Sequence, residues 1–279
     1  MVTINGNTAL IAHIGYPTST FKAPMIYNPY FDSINLDAIV VPMGVKAEDF
    51  ATAFPAICRF TNFHGALITM PHKVAVLGCV DEVSPTARIA GSCNAVRRLC
   101  DGRLVGDMFD GEGFVRGLLR KSCEVSGRRA LVVGCGGVGS AIAASLAGAG
   151  VAHLCLHDVS PSAMAGLAQR LGAHYPDLEI TCGSTDPRGA DIVVNATPLG
   201  MNHGDPMPLD VTRLGPPSVV GEVVMKKEKT AFLAAAEAAG CRIQIGIDML
   251  FEQIPAYLEF FDLPTTTADV LRARAHVTY

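Results

Sequence analysis

RRALVVGCGGVGSAIAASLAGAG, residues 128–150, opens as a short β-branched run, breaks at glycines 134, 136, 137 and 139, and resumes as an alanine-rich segment. Ala130–Leu156 carries no charged residue and is long enough to span a bilayer. The early glycines, with Gly148 and Gly150 behind them, fit a buried strand, a turn and a helix better than one continuous helix. In such a unit Gly134 permits the tight turn, Gly136 lets the backbone approach a pyrophosphate, and Gly139 allows close helix–strand packing. Gly137 and Val138 complete the loop, and the helix N-terminus offers N–H groups to phosphates. The segment therefore predicts a dinucleotide site. Asp158 ends the next strand (LCLHD), about 20 residues past the last glycine. A carboxylate there accepts from the 2′-OH of NAD and repels the 2′-phosphate of NADP, so NAD is expected over NADP. A strand-end aspartate also serves as a helix N-cap, although Ser160 stands ready for that role.

Outward from this unit, short apolar runs alternate with helical stretches. Strands are expected over 9–15, 38–42, 66–69, 103–106, 130–134, 153–158, 179–182, 191–195, 219–224 and 242–245. Helices are expected over 111–123, 161–174, 229–239, 249–261 and 267–276. Continuous rather than alternating apolar strands point to α/β architecture with parallel, doubly covered sheets. A Gly/Asp-rich turn at 106–111 marks a seam between two domains, and the last helices fit either of them.

The formal charge of −4 and the absence of a Lys/Arg cluster give no support to nucleic-acid binding. With 17 % charged and 49 % hydrophobic residues, the chain is neither disordered nor a coiled coil. Nine cysteines without a C-x-x-C, and a start without a basic-then-apolar leader, place it in the reducing cytoplasm. The eight histidines make no zinc spacing, so no metal is expected. The partners expected are a small-molecule substrate and no membrane, with a monomer or homodimer as the assembly.

GALITMPHK (65–73), AGSCNAV (90–96), GDMFDGEG (106–113), GCGGVG (134–139), NATPLGM (195–201), KTAFL (229–233) and GIDMLFEQ (246–253) follow one another along the chain. In these motifs and their order it resembles the shikimate/quinate dehydrogenase family across nearly its whole length. The resemblance implies a substrate-binding domain of residues 1–109 with 246–279 and a Rossmann-type NAD(P) domain of residues 110–245. It implies Lys73 and Asp110 as the catalytic pair, and Asn94 and Gln253 as ligands for substrate hydroxyls. Thr69 matches a further substrate-pocket position, and Asn195 and Thr197 match the turn near the nicotinamide. Those last two are also ordinary turn residues. Oxidising a secondary alcohol sends hydride to the nicotinamide while a base takes the hydroxyl proton, and a lysine held by a carboxylate suits that exchange.

Departures gather at one end of the substrate site. Phe21 and Ala23, flanking Lys22, stand where the family has two carboxylate-binding serines. Met225 replaces a tyrosine five residues before the threonine of KTAFL, and Leu67 replaces an asparagine. Met108 and Phe109 replace an Asn–Thr pair. The expected protein is an NAD(P)-dependent oxidoreductase for a shikimate-like cyclic hydroxy acid with a remodelled carboxylate pocket. The alternative is a non-catalytic dinucleotide-binding regulatory protein of the same fold. Retention of Lys73, Asp110, Asn94 and Gln253 together argues against it.

Overall fold

A computed structural model describes residues 4–277. Its strands are β1 (Ala9–Gly15), β2 (Ala38–Gly44), β3 (Phe63–Ile68), β4 (Glu82–Val83), β5 (Ala95–Arg98), β6 (Leu104–Asp107), β7 (Arg129–Val133), β8 (His153–His157), β9 (Glu179–Cys182), β10 (Ile192–Asn195), β11 (Val219–Glu222) and β12 (Arg242–Gln244). The α-helices are α1 (Pro24–Ser33), α2 (Phe50–Ile57), α3 (Pro85–Ala90), α4 (Asp110–Arg120), α5 (Gly137–Gly148), α6 (Pro161–His174), α7 (Ala231–Ala238), α8 (Gly246–Phe260) and α9 (Ala268–Arg274). The chain divides into two compact units. Of the described residues, the first holds 4–88, 92–109 and 254–277; the second holds 89–91 and 110–253. The chain leaves the first unit at Phe109, inside the expected seam. Residues 246–253, expected with the substrate domain, pack in the second unit because the start of α8 lies against α4, where a Cβ on Gly113 would meet Met249 O at 2.5 Å.

The first unit's sheet has the order β2-β1-β3-β5-β6-β4. It is mixed rather than wholly parallel, because β5, absent from the sequence reading, runs antiparallel to both β3 and β6. Ala12 and Ile14 of β1 and Ala66 and Ile68 of β3 face a core with Phe50, Phe54 and Val76. The alternate residues His13 and Leu67 are register partners on the opposite face. Asn28 of α1 donates to Val40 O at 3.0 Å and accepts from Val40 N at 2.8 Å, which ties that helix to β2.

The second unit's sheet has the order β12-β11-β10-β7-β8-β9, every pair parallel. Strand order reverses between β7 and β10, the switch point at which open α/β sheets bind ligands beyond their carboxyl ends. Ala130 and Val132 of β7 bury against Ile142, Leu154 and Leu156, whereas Leu131 and Val133 bury with Val193, Val220 and Phe232 on the other face. Burial on both faces is why these strands read as unbroken apolar runs.

Candidate functional site

In the second unit the glycine loop leaves β7 at the switch point. Gly134 has φ +104°, a left-handed conformation that a side chain would strain, and a Cβ on it would meet Ala196 C at 2.8 Å. A Cβ on Gly139 would strike Gly134 O, so α5 starts hard against the turn. Gly136, the N-cap of α5, has open space where its side chain would be and brings nothing that would cap the first turn. A backbone cradle at a helix N-terminus with nothing filling it fits the phosphates of a dinucleotide. Gly137 and Val138 form the first turn, with Val138 packed against the core.

Asp158 lies directly after β8. Its Oδ2 accepts from Cys135 N at 2.6 Å and its Oδ1 from Ser160 N at 2.7 Å. The N-cap of α6 is Ser160, whose Oγ accepts from Ala163 N at 3.3 Å. Asp158 thus pins the glycine loop to the end of β8 and keeps further carboxylate lone pairs for a ligand hydroxyl. Asn195 and Thr197 build their own turn. Asn195 Oδ1 accepts from Thr197 Oγ1 at 2.6 Å and from Thr197 N at 3.1 Å, and Asn195 Nδ2 donates to Leu199 O at 3.0 Å. Their side chains are spent on turn geometry, which holds the backbone beside Gly134.

Two groups here escaped the sequence reading. Glu222, fully buried at the end of β11, accepts from Thr230 Oγ1 at 2.8 Å, and its other oxygen has no hydrogen-bond partner. Burial pushes its carboxyl up to about 7 against the pull of Thr230. Arg170 of α6 donates to Ile89 O at 2.7 Å and fastens residues 89–91 to this unit. A strand-final glutamate before KTAFL was a visible signal for the first; nothing in the sequence marked the second.

Asp110 is buried as the first residue of α4, where a carboxylate gains from the helix dipole. Gln253 of α8 is 4 % exposed, and its Oε1 has no hydrogen-bond partner. A buried amide oxygen left in that state suits a ligand hydroxyl. Met225 is half-buried against the second unit's core.

The first unit gathers the remaining residues. Thr69 follows β3, its N–H donating to Ile14 O at 2.9 Å. Lys73 is half-buried four residues further on, and its carbonyl accepts from Cys93 N at 2.7 Å. Asn94, next to Cys93, is 1 % exposed, and its Oδ1 accepts from Phe109 N at 3.0 Å. That backbone link fixes the Lys73 turn beside the Asn94 strand. His72 beneath it is stacked on Phe50 at 4.1 Å and bonded through Nε2 to Val45 O at 2.7 Å. Ala23 is buried at the N-cap of α1. Phe21 is half-buried and stacks on His13 at 4.0 Å between ring centroids. No cluster of metal-ligating side chains occurs among the described residues, and no helix there is long and apolar enough to cross a membrane.

A family model described as the shikimate dehydrogenase substrate binding domain matches residues 13–96. A shikimate dehydrogenase (NADP(+)) of Rubrobacter xylanophilus is 37 % identical over 254 residues, 90 % of this chain and 89 % of its own. The solved quinate dehydrogenase from Corynebacterium glutamicum, in complex with NAD, is similar with a TM-score of 0.86 at 28 % identity, over 96 % of this chain and 98 % of that one. A ligand-free 5-ketofructose reductase of Gluconobacter sp. strain CHM43 gives 0.85 at 28 %, over 97 % and 98 %. Relatives named for NADP(+) and a neighbour holding NAD do not support the expected preference for NAD. With 37 % identity sustained over nine-tenths of its length, the chain belongs to the shikimate dehydrogenase family of NAD(P)-dependent oxidoreductases.

Proposed function

We propose that the protein interconverts a secondary hydroxyl on a shikimate-like, polyhydroxylated substrate with the corresponding ketone, and that its carboxylate-binding end is remodelled. Gly134, Gly136, Gly137, Val138 and Gly139 hold the dinucleotide phosphates, and Asp158 meets the adenine ribose. The turn built by Asn195 and Thr197 borders the nicotinamide. The nicotinamide supplies the hydride acceptor or donor. Lys73 Nζ takes the hydroxyl proton in oxidation and returns it to the carbonyl oxygen in reduction, with Asp110 as the carboxylate of the pair. Thr69, Asn94 and the unpartnered Oε1 of Gln253 orient the substrate hydroxyls.

The observation that carries this proposal is the backbone bond from Cys93 N to Lys73 O, which holds the Lys73 main chain next to Asn94 and supports reading the two as proton-transfer group and hydroxyl ligand. Such fixed placement is what acid–base catalysis requires. The remodelled end rests on Phe21, Ala23 and Met225, which present carbon where a carboxylate needs donors. An unpaired carboxylate against such side chains is strongly disfavoured.

The test is a panel of shikimate, quinate and 5-ketofructose, each with NAD(H) and NADP(H), followed by nicotinamide absorbance. Turnover that disappears in Lys73→Met supports the proposal. No turnover of any of them, or a sub-millimolar shikimate KM in the native enzyme, overturns it in whole or in its remodelled part respectively.

A further inference from the structure

His13 has no role in the site described so far, yet it sits within it. It is 8 % exposed near the carboxyl end of β1, and its register partner on β3 is Leu67, the position where the family motif has an asparagine. Adjacent register partners share a sheet face, so the polar group missing from β3 is supplied from the neighbouring strand. Phe21, in the place of the first family serine, stacks on the imidazole at 26° and fixes the ring's plane. Its tip also reaches the Gly15–Thr69 corner, where a Cβ on Gly15 would meet Phe21 Cζ at 3.0 Å. The Nδ1 of this buried ring has no hydrogen-bond partner. Native proteins rarely leave such an atom unsatisfied unless a ligand or water completes it.

We propose that His13 is a substrate-contacting specificity residue whose Nδ1 hydrogen-bonds a hydroxyl or carbonyl oxygen of an uncharged polyhydroxy ketone. This rests on the activity proposed above and narrows its substrate class. Burial, and behind it the charge of Lys73, lowers the His13 imidazole to about 3, so the ring is neutral at working pH. A neutral ring donates or accepts one hydrogen bond but does not balance a carboxylate. With Phe21 stacked on the ring and Leu67 beside it in register, the polar chemistry His13 brings suits an uncharged oxygen.

The experiment reads binding apart from turnover. Kd values for 5-ketofructose and for shikimate are measured by calorimetry on the NADPH-saturated protein, native, His13→Leu and His13→Asn. An asparagine amide stands about where Nδ1 does, so it serves as the conservative rescue. Native protein should bind 5-ketofructose more tightly than shikimate. His13→Leu should weaken 5-ketofructose about tenfold, the size of one hydrogen bond, with NADPH affinity unchanged. His13→Asn should recover most of that loss. Should His13→Leu fail to fold, the 15N resonance of His13 Nδ1 in the native protein should move on adding 5-ketofructose.

Equal Kd values in native and His13→Leu, an unmoved Nδ1 resonance, or tighter binding of shikimate than of 5-ketofructose overturns the proposal. So does parallel loss of NADPH binding in both variants, which marks a structural role. Binding through His13 without turnover overturns the proposed activity and leaves this assignment standing, whereas turnover with His13 uninvolved overturns this assignment alone.

Discussion

The two units treat their polar side chains differently. In the second, the groups around the glycine loop are spent on their surroundings, Asp158 on Cys135 and Ser160 and Asn195 on Thr197 and Leu199, while Glu222 bonds the Thr230 hydroxyl and, like Gln253, keeps one oxygen without a partner. In the first, Leu67 of β3 is in register with His13 and Phe21 stacks on its ring, whose Nδ1 has no partner. Where side chains build the turn itself, a change costs the fold as well as any ligand held there. Where they build no turn, a change costs the fold less. Lys73 and Asn94 sit between these cases, because Asn94 holds Phe109 N and the Lys73 backbone holds Cys93.

The largest effect should come from Lys73→Met. It should lower kcat by ~10²–10⁴-fold on the best substrate of the panel, with cofactor Kd little changed. Asp110→Asn should act in the same direction. Stopped-flow measurement of the hydride step checks both, and near-normal turnover in both would remove the catalytic assignment.

Opposite pH responses of the two units come next. The unfolded-state value for Glu222 is 4.5 and the folded value about 7, so its contribution to stability is full below 4.5 and is lost as pH rises through 7. His13 goes from 6.5 unfolded to about 3 folded, so its contribution is full above 6.5 and is lost as pH falls toward 3. Glu222→Gln keeps an acceptor for Thr230 and should stabilise the protein by on the order of 2 kcal/mol at pH 8 but not at pH 4. His13→Leu should raise Tm relative to native at pH 4.5 more than at pH 7.5. Thermal unfolding across pH checks both; a Glu222→Gln curve parallel to the native one would refute the buried-proton account.

These groups also mark what the sequence could disclose. The glycine loop, β7, β8 and α6 were legible because burial on both sheet faces writes continuous apolar strands and because Ser160–Pro161 is an N-cap followed by proline. Helices α1 and α2 were not, since Pro29 and Pro55 lie inside them and read as breakers. Strands β4 and β5 are too short for a period to show, and the antiparallel turn of β5 depends on pairing that is remote in sequence. The expected site residues were legible only through the motifs that carry them. His13 did not, because its meaning lies in its register with Leu67 and its stack on Phe21, which only the folded sheet brings together.

The comparison is sharpened by restoring the polar residues of the family at the three departing positions. Phe21→Ser, Ala23→Ser and Met225→Tyr together should raise kcat/KM for shikimate at least ~10-fold, chiefly through KM, since one bond to a charged group is worth about 1.5–3 kcal/mol. Circular dichroism should show the fold intact. No gain in shikimate kcat/KM would mean that another group already meets the carboxylate and that this end is not remodelled.

The smallest effect tests whether the second unit is as constrained as its hydrogen bonds imply. A carboxylate at position 158 that met the adenine ribose would disfavour a 2′-phosphate, so the NADP/NAD ratio of kcat/KM should depend on it. Asp158→Ser removes that repulsion and should shift the NADP/NAD ratio of kcat/KM by about tenfold toward NADP. The same change takes away the acceptor for Cys135 N and Ser160 N, so the absolute kcat/KM with NAD should fall as well. A purely electrostatic aspartate would change the ratio and leave NAD use intact, whereas a purely structural one would depress both cofactors equally. The expected result is both changes at once, read by steady-state kinetics with each dinucleotide. An unchanged ratio would show that the charge is fully engaged by the glycine loop, and cofactor choice would then lie elsewhere around the ribose.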